Sequence, residues 1–86
     1  MYYVYVIKHS ETNDLYIGYS IDIEKRLQEH NNKESKFTSK KSGYWELVYF
    51  EAYKNMNDAI TREKRLKHHG RAKQELYKRI EKSLSE

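Results

Sequence analysis

Three side chains able to hold a phosphate, a proton or a cation stand where helical spacing calls for apolar residues. Over residues 56–69 the apolar positions Ala59, Ile60 and Leu66 fall on one arc. With Ala59 at zero and about 100° per residue, Leu66 falls near −20°, Ile60 near 100° and Glu63 near 40°, inside the arc. A carboxylate so placed must be paired, protonated or bound to a cation, because bare burial of its charge is too costly. An i,i+4 pair with Lys67 is the simplest of these. A second helical stretch repeats the pattern. Relative to Ile23, Leu27 falls near 40°, His30 near −20° and Arg26 near −60°, at roughly 100° per residue. Arg26 and His30 therefore border or share the apolar face. Arg26 can pack its stem with its head in water, and His30 can be a satisfied core histidine.

Tyrosine supplies further chemistry. Tyr3, Tyr5 and Ile7 share one face of an extended segment, and Tyr16 shares a face with Gly18. A buried tyrosine ring needs a partner for its hydroxyl. A glycine inside a strand marks a close approach of backbone or ligand. Tyr2, Tyr49 and Tyr53 read as plain aromatic core.

Positive charge concentrates late in the chain. Residues 1–55 hold 8 Lys+Arg and 8 Asp+Glu, whereas residues 56–86 hold 9 and 5, which accounts for the whole net charge of +4. Between 62 and 73 stand Arg62, Lys64, Arg65, Lys67, Arg71 and Lys73, beside His68 and His69. Such a cluster is a phosphate footprint or a solvated helical face. The segment 32–43, with Lys33, Lys36, Lys40 and Lys41, reads as a polar loop able to contact a nucleic-acid strand.

These residues need a small scaffold. The chain has 86 residues, 14% of them aromatic, and no cysteine. That length suits one domain whose limited core must rely on large side chains. Absence of cysteine excludes disulfides and cysteine-ligated zinc. No apolar stretch is long enough for a membrane helix or a secretory signal, so the expected setting is cytoplasmic, with no membrane partner. Residues 2–8 and 15–19 predict a hairpin tipped by Asn13-Asp14, and 45–53 a third strand. Residues 21–31 predict a helix capped by Ser20 or Asp22. A second helix is expected from about Met56 to His69, opened by Asn55 or Asn57 and closed by Gly70 at its C′ position. A third is expected from about Ala72 to Ile80 or beyond. The expected fold is α/β, a small three-stranded sheet covered by helices in the order β-β-α-β-α-α, with a domain over 1–80 and a loose tail over 81–86.

Tyr3-Val4-Tyr5, then Tyr16-Ile17-Gly18, Arg26, His30 and the run from Ala59 through Arg62-Glu63 to Leu66-Lys67 together resemble the signature of the GIY-YIG nuclease superfamily. The likeness is to its small stand-alone bacterial branch and spans about residues 2–80. The first triplet departs from the pattern: Tyr3 and Val4 stand where the family has glycine and isoleucine.

The resemblance implies an endonuclease that hydrolyses DNA phosphodiester bonds with one divalent cation, Mg²⁺ or Mn²⁺, in DNA repair or recombination. It implies catalytic roles for Tyr5, Tyr16, Arg26, His30 and Glu63. Glu63 would hold the cation, Arg26 would neutralise phosphoryl charge, and Tyr5 would help activate water with Tyr16 and His30 assisting. Gly18 is the motif glycine. Arg62, Arg65, Lys67, Arg71, Lys73, Lys36 and Lys40 would contact nucleic acid, and a protein partner would aid targeting. A non-catalytic nucleic-acid-binding module on the same fold is the competing reading. An interaction protein in which Glu63 and Lys67 form a structural pair is a third.

Overall fold

The computed structural model describes residues 1–32 and 42–86. The β-branched and aromatic run at the start forms β1 (Tyr2–His9), followed by β2 (Leu15–Ser20). Between them Asn13 takes a left-handed φ of 61°, a conformation asparagine tolerates better than most residues. The helix α1 (Ile23–Asn31) is capped by Asp22, whose carboxylate accepts from the Lys25 backbone N–H. Strand β3 (Trp45–Tyr53) leads to α2 (Met56–His68), capped by Asn55. Then come α3 (Gly70–Arg79) and α4 (Glu81–Ser85). The α/β order is the expected one with a short helix added.

Two details differ from the sequence reading. Gly70 opens α3 instead of closing α2 in a left-handed turn, because His69 alone serves as the last cap of α2 and the first of α3. Residues 81–85, expected as a loose tail, are helical. Leu84 packs on the core, and its backbone carbonyl accepts a hydrogen bond from Lys8 Nζ.

The sheet has the order β2-β1-β3, antiparallel throughout, with β1 central. Alternation along β1 sends its side chains to two different cores. Val4 and Val6 join Ala59, Leu66, Leu76 and Ile80 beneath α2 and α3. Tyr5 and Ile7 turn the other way and pack with Trp45, Tyr16, Leu27 and Leu47 beneath α1. A shift of register between Val6 and Ile7 leaves Val48 as an extra residue on β3. Such a bulge keeps both faces in phase on either side of it and bends the strand. Asn31 ties the end of α1 to the start of β3, accepting from the Trp45 N–H at 2.6 Å and donating to its carbonyl at 3.1 Å.

Candidate active site

Tyr5 lies at the centre of the face beneath α1, with only 2% of its surface exposed. Its hydroxyl is 2.8 Å from His30 Nε2, the only fully buried side chain of α1. The ring rests on the backbone of its cross-strand partner Gly18. A Cβ at Gly18 would stand 2.3 Å from the Tyr5 hydroxyl oxygen and 2.4 Å from Cζ. Glycine is required there by simple exclusion of volume, which explains the glycine found inside the strand. Tyr16 stands two residue pairs along, with its ring centroid 5.2 Å from that of His30.

The charged members come from two helices. Arg26 lies one helical turn before His30 and interacts with the Tyr5 phenol, while Nη1 donates to Glu29 at 3.0 Å. From α2, Lys67 Nζ bridges Glu63 Oε2 at 3.2 Å and sits 5.0 Å from the centre of the Tyr16 ring. The pairing of Glu63 that periodicity required is therefore met by Lys67, one turn on. The field of Glu63 also reaches the Tyr5 phenol. The fold thus gathers Tyr5, Tyr16, Gly18, Arg26, His30 and Glu63 into one cluster and adds Lys67 to it. Tertiary packing brings them together from β1, β2, α1 and α2.

Burial dominates the protonation states. It pushes the Tyr5 phenol up to about 12, although the Arg26 guanidinium works in the opposite direction. Burial, reinforced by Arg26, brings His30 down to about 4. At neutral pH the phenol is protonated and the imidazole neutral, so the phenol can donate to Nε2 while the ring proton sits on Nδ1. Arg26 remains charged: burial opposes this, but its bonds to Glu29 and Tyr5 prevail and raise it above the usual arginine value. The cluster presents a cation, a carboxylate and a hydrogen-bonded phenol. That set can grip a phosphate and orient a water beside it.

The residues expected to contact nucleic acid divide into several groups. Arg62 is committed elsewhere. It clamps the Glu51 carboxylate through Nε at 2.9 Å and Nη2 at 3.0 Å. Tyr49 donates to the same carboxylate at 2.6 Å, and Tyr53 donates to its other oxygen. Tyr49 and Tyr53 are thus hydrogen-bond donors as well as core rings. Arg65 and Arg71 line an open groove of about 400 Å³ with His69 and Glu75, and the flank of Arg62 borders the same groove. Arg71 pairs with Glu75 at 3.2 Å on the exposed face of α3. Lys73 is half-buried. Lys36 and Lys40, with the rest of the predicted loop between 33 and 41, lie outside the described residues. The Glu51 cluster escaped the sequence reading, although the Tyr49-x-Glu51-x-Tyr53 alternation places all three on one strand face.

Among the described residues no three His, Cys, Asp or Glu side chains gather as a ready-made metal site. A cation at this cluster has one protein ligand to use, Glu63. That suits Mg²⁺, which keeps several waters and shares itself with substrate phosphates. No helix of the described residues is long and apolar enough to cross a membrane.

Comparison with known proteins places the chain in a family. The GIY-YIG catalytic domain matches residues 1–81. A UPF0213 protein of Haloquadratum walsbyi is 36% identical over 75 residues, covering 86% of this chain and 82% of its own length. One from Bacillus pumilus is 39% identical over 88 residues, covering 98% and 88%. One from Staphylococcus saprophyticus is 36% identical over 72 residues, covering 84% and 87%. No solved structure matches the chain.

Proposed function

The chain belongs to the GIY-YIG family, whose nucleases act on DNA, and from that premise we propose that it is a divalent-metal-dependent endonuclease hydrolysing DNA phosphodiester bonds. The observation that carries the reading is the gathering of Arg26 and His30 from α1 and the Glu63–Lys67 pair from α2 around Tyr5 and Tyr16. Phosphodiester hydrolysis needs positive charge on the non-bridging oxygens, an oriented water and help for the departing oxygen. Arg26 faces the phosphoryl oxygens with a planar fork that matches them. Tyr5 holds the water and takes its proton as the phenol's own proton passes to His30 Nε2, 2.8 Å away, with Tyr16 walling the site. Glu63, paired with Lys67 at one oxygen, would be the residue that holds Mg²⁺ or Mn²⁺. The cation supplies Lewis-acid stabilisation of the leaving oxygen. Repair or recombination is the setting such an activity fits.

The test is cleavage of a panel of labelled DNA structures with and without Mg²⁺. Glu63→Ala and Arg26→Ala should each abolish cleavage while circular dichroism remains that of the wild type. Cleavage by Glu63→Ala at the wild-type rate would refute the assignment.

A second reading, a binding module without turnover, draws on the existing Glu63–Lys67 pair and on the basic groove at Arg65 and Arg71. It predicts salt-sensitive DNA binding that is indifferent to Mg²⁺.

A further inference from the structure

We propose that Arg62 is a positioning residue whose fork on Glu51 fixes the rotation of α2 and thereby holds Glu63 at the Tyr5–Tyr16 site. The significance of that site rests on the reading of Glu63 given above. The case for the fork itself rests on how α2 is seated.

The fully buried side chains of α2 are Ala59 and Leu66, two turns apart on one line. Alanine offers no side chain to resist a roll about that line. Tethers on either flank must therefore set the rotation. On one flank stands Arg62, at about −60° on the helix circumference; on the other stand Glu63 and Lys67, at about 40° and 80°. The bond between Glu63 and Lys67 lies within α2 and ties the helix to nothing. Contact between Lys67 and the Tyr16 ring is a soft one, at 5.0 Å.

The Arg62 fork is of a different kind. It is two-pronged, and its acceptor is itself immobilised by the Tyr49 and Tyr53 hydroxyls from the same strand face. Burial disfavours the Glu51 charge, yet Arg62 and the two phenols outweigh it and hold the carboxyl below the usual range. The pair stays intact at neutral pH, shielded with 25% and 13% of the side chains exposed.

Because Arg62 and Glu63 are consecutive, any roll permitted by loss of the fork passes directly to Glu63. A carboxylate about 6 Å off the axis moves by about 2 Å for a roll of about 20°. Misplacement by about 1 Å can cost about a hundredfold in a positioned reaction.

The experiment compares Arg62→Met, Arg62→Lys and Glu51→Gln with the wild type, and with Ile80→Val as a variant that weakens the same core without touching the fork. Three quantities are read: the Mg²⁺ dependence of DNA cleavage, Mn²⁺ broadening of the Glu63 and Tyr16 NMR signals, and the salt dependence of DNA binding. Arg62→Met should raise the Mg²⁺ needed for half-maximal cleavage roughly tenfold and weaken the broadening at Glu63. Arg62→Lys, which keeps the charge and loses the fork, should fall between, as should Glu51→Gln. Ile80→Val should match the wild type in Mg²⁺ dependence, and the salt slope should be the same in all the proteins.

A salt slope reduced by about one in Arg62→Met would make Arg62 a phosphate contact and overturn the proposal. So would an unchanged Mg²⁺ dependence in a folded Arg62→Met. If Arg62→Met does not fold, Arg62→Lys and Glu51→Gln carry the same comparison. If the wild type neither cleaves DNA nor shows Mn²⁺ broadening at Glu63, the metal reading fails, and positioning is judged from the ring-current shift of the Lys67 side chain over Tyr16. Loss of that shift in the fork variants supports the proposal, and its persistence overturns it.

Discussion

Two polar clusters sit on opposite faces of the same three-stranded sheet, and each contains an arginine and at least one raised tyrosine. Beneath α2, Glu51 accepts from Arg62, Tyr49 and Tyr53, and both phenols are pushed up to about 12, by burial first and then by the carboxylate they serve. Beneath α1, the Tyr5 phenol is also pushed up to about 12, by burial and against the pull of Arg26. Perturbed protonation therefore does not separate the two. They differ in how fully their bonding capacity is spent. Glu51 has both oxygens filled by donors from two elements and is a joint. The α1 cluster holds a cation at Arg26, and its carboxylate is engaged by Lys67 at one oxygen, so incoming chemistry has partners to exchange.

The contrast can be broken most directly at the two carboxylates. Glu63→Gln should lower cleavage by at least about a hundredfold and change stability by no more than about 1 kcal/mol, since its pair with Lys67 is partly solvated. Rate and denaturation assays on the same preparation check both halves. Glu51→Ala should do the reverse in stability, costing roughly 2–4 kcal/mol by stranding a guanidinium and two phenols, as measured by chemical denaturation.

Acid tests the α1 cluster next. His30 is held near 4, below its ordinary 6.5. Between those values the unfolded chain takes up a proton that the folded chain refuses, so this contribution is complete above about pH 6.5 and is lost as the pH falls toward 4. The loss approaches about 3 kcal/mol, from roughly 1.4 kcal/mol per pH interval of one. Denaturation midpoints across that range should flatten in His30→Gln.

Gly18→Ala should cost roughly 1–3 kcal/mol by driving a methyl into the Tyr5 ring. Its signature is displacement of the Tyr5 resonances in NMR spectra, with those of Tyr49 and Tyr53 left in place. At the small end, Arg71→Ala should shift stability by less than about 0.5 kcal/mol, because the pair with Glu75 is exposed on both sides.

The sequence revealed the α1 cluster and concealed the other for a physical reason. Arg26, His30 and Glu63 violate the apolar periodicity of their helices, and such violations are visible without coordinates. Glu51 violates nothing, since a short strand with polar residues at alternate positions reads as an ordinary half-solvated edge. Its three donors come from both sides along β3 and from α2, a convergence that only register and helix placement reveal. Gly18 was readable as a close approach, but the approaching group, the Tyr5 ring, depended on the β1–β2 register. Lys67 was foreseen as a partner for Glu63 and also as a nucleic-acid contact; its seat over Tyr16 required the tertiary packing of α2 against β2. Helix α4 went unread because five residues carry too little periodicity to announce a helix.

The central position of β1 has a consequence for the chain during its synthesis. The first strand made can pair at once with β2, but its other edge waits for β3, and Glu63 and Lys67 arrive later still. Until α2 has left the ribosome, the nascent chain holds Tyr5, Tyr16, Arg26 and His30 without their carboxylate. Its charges over residues 1–55 cancel at 8 against 8, so it also lacks the net attraction to polyanions that α2 and α3 bring. The cluster and the excess of positive charge are thus both completed only in the last third of translation.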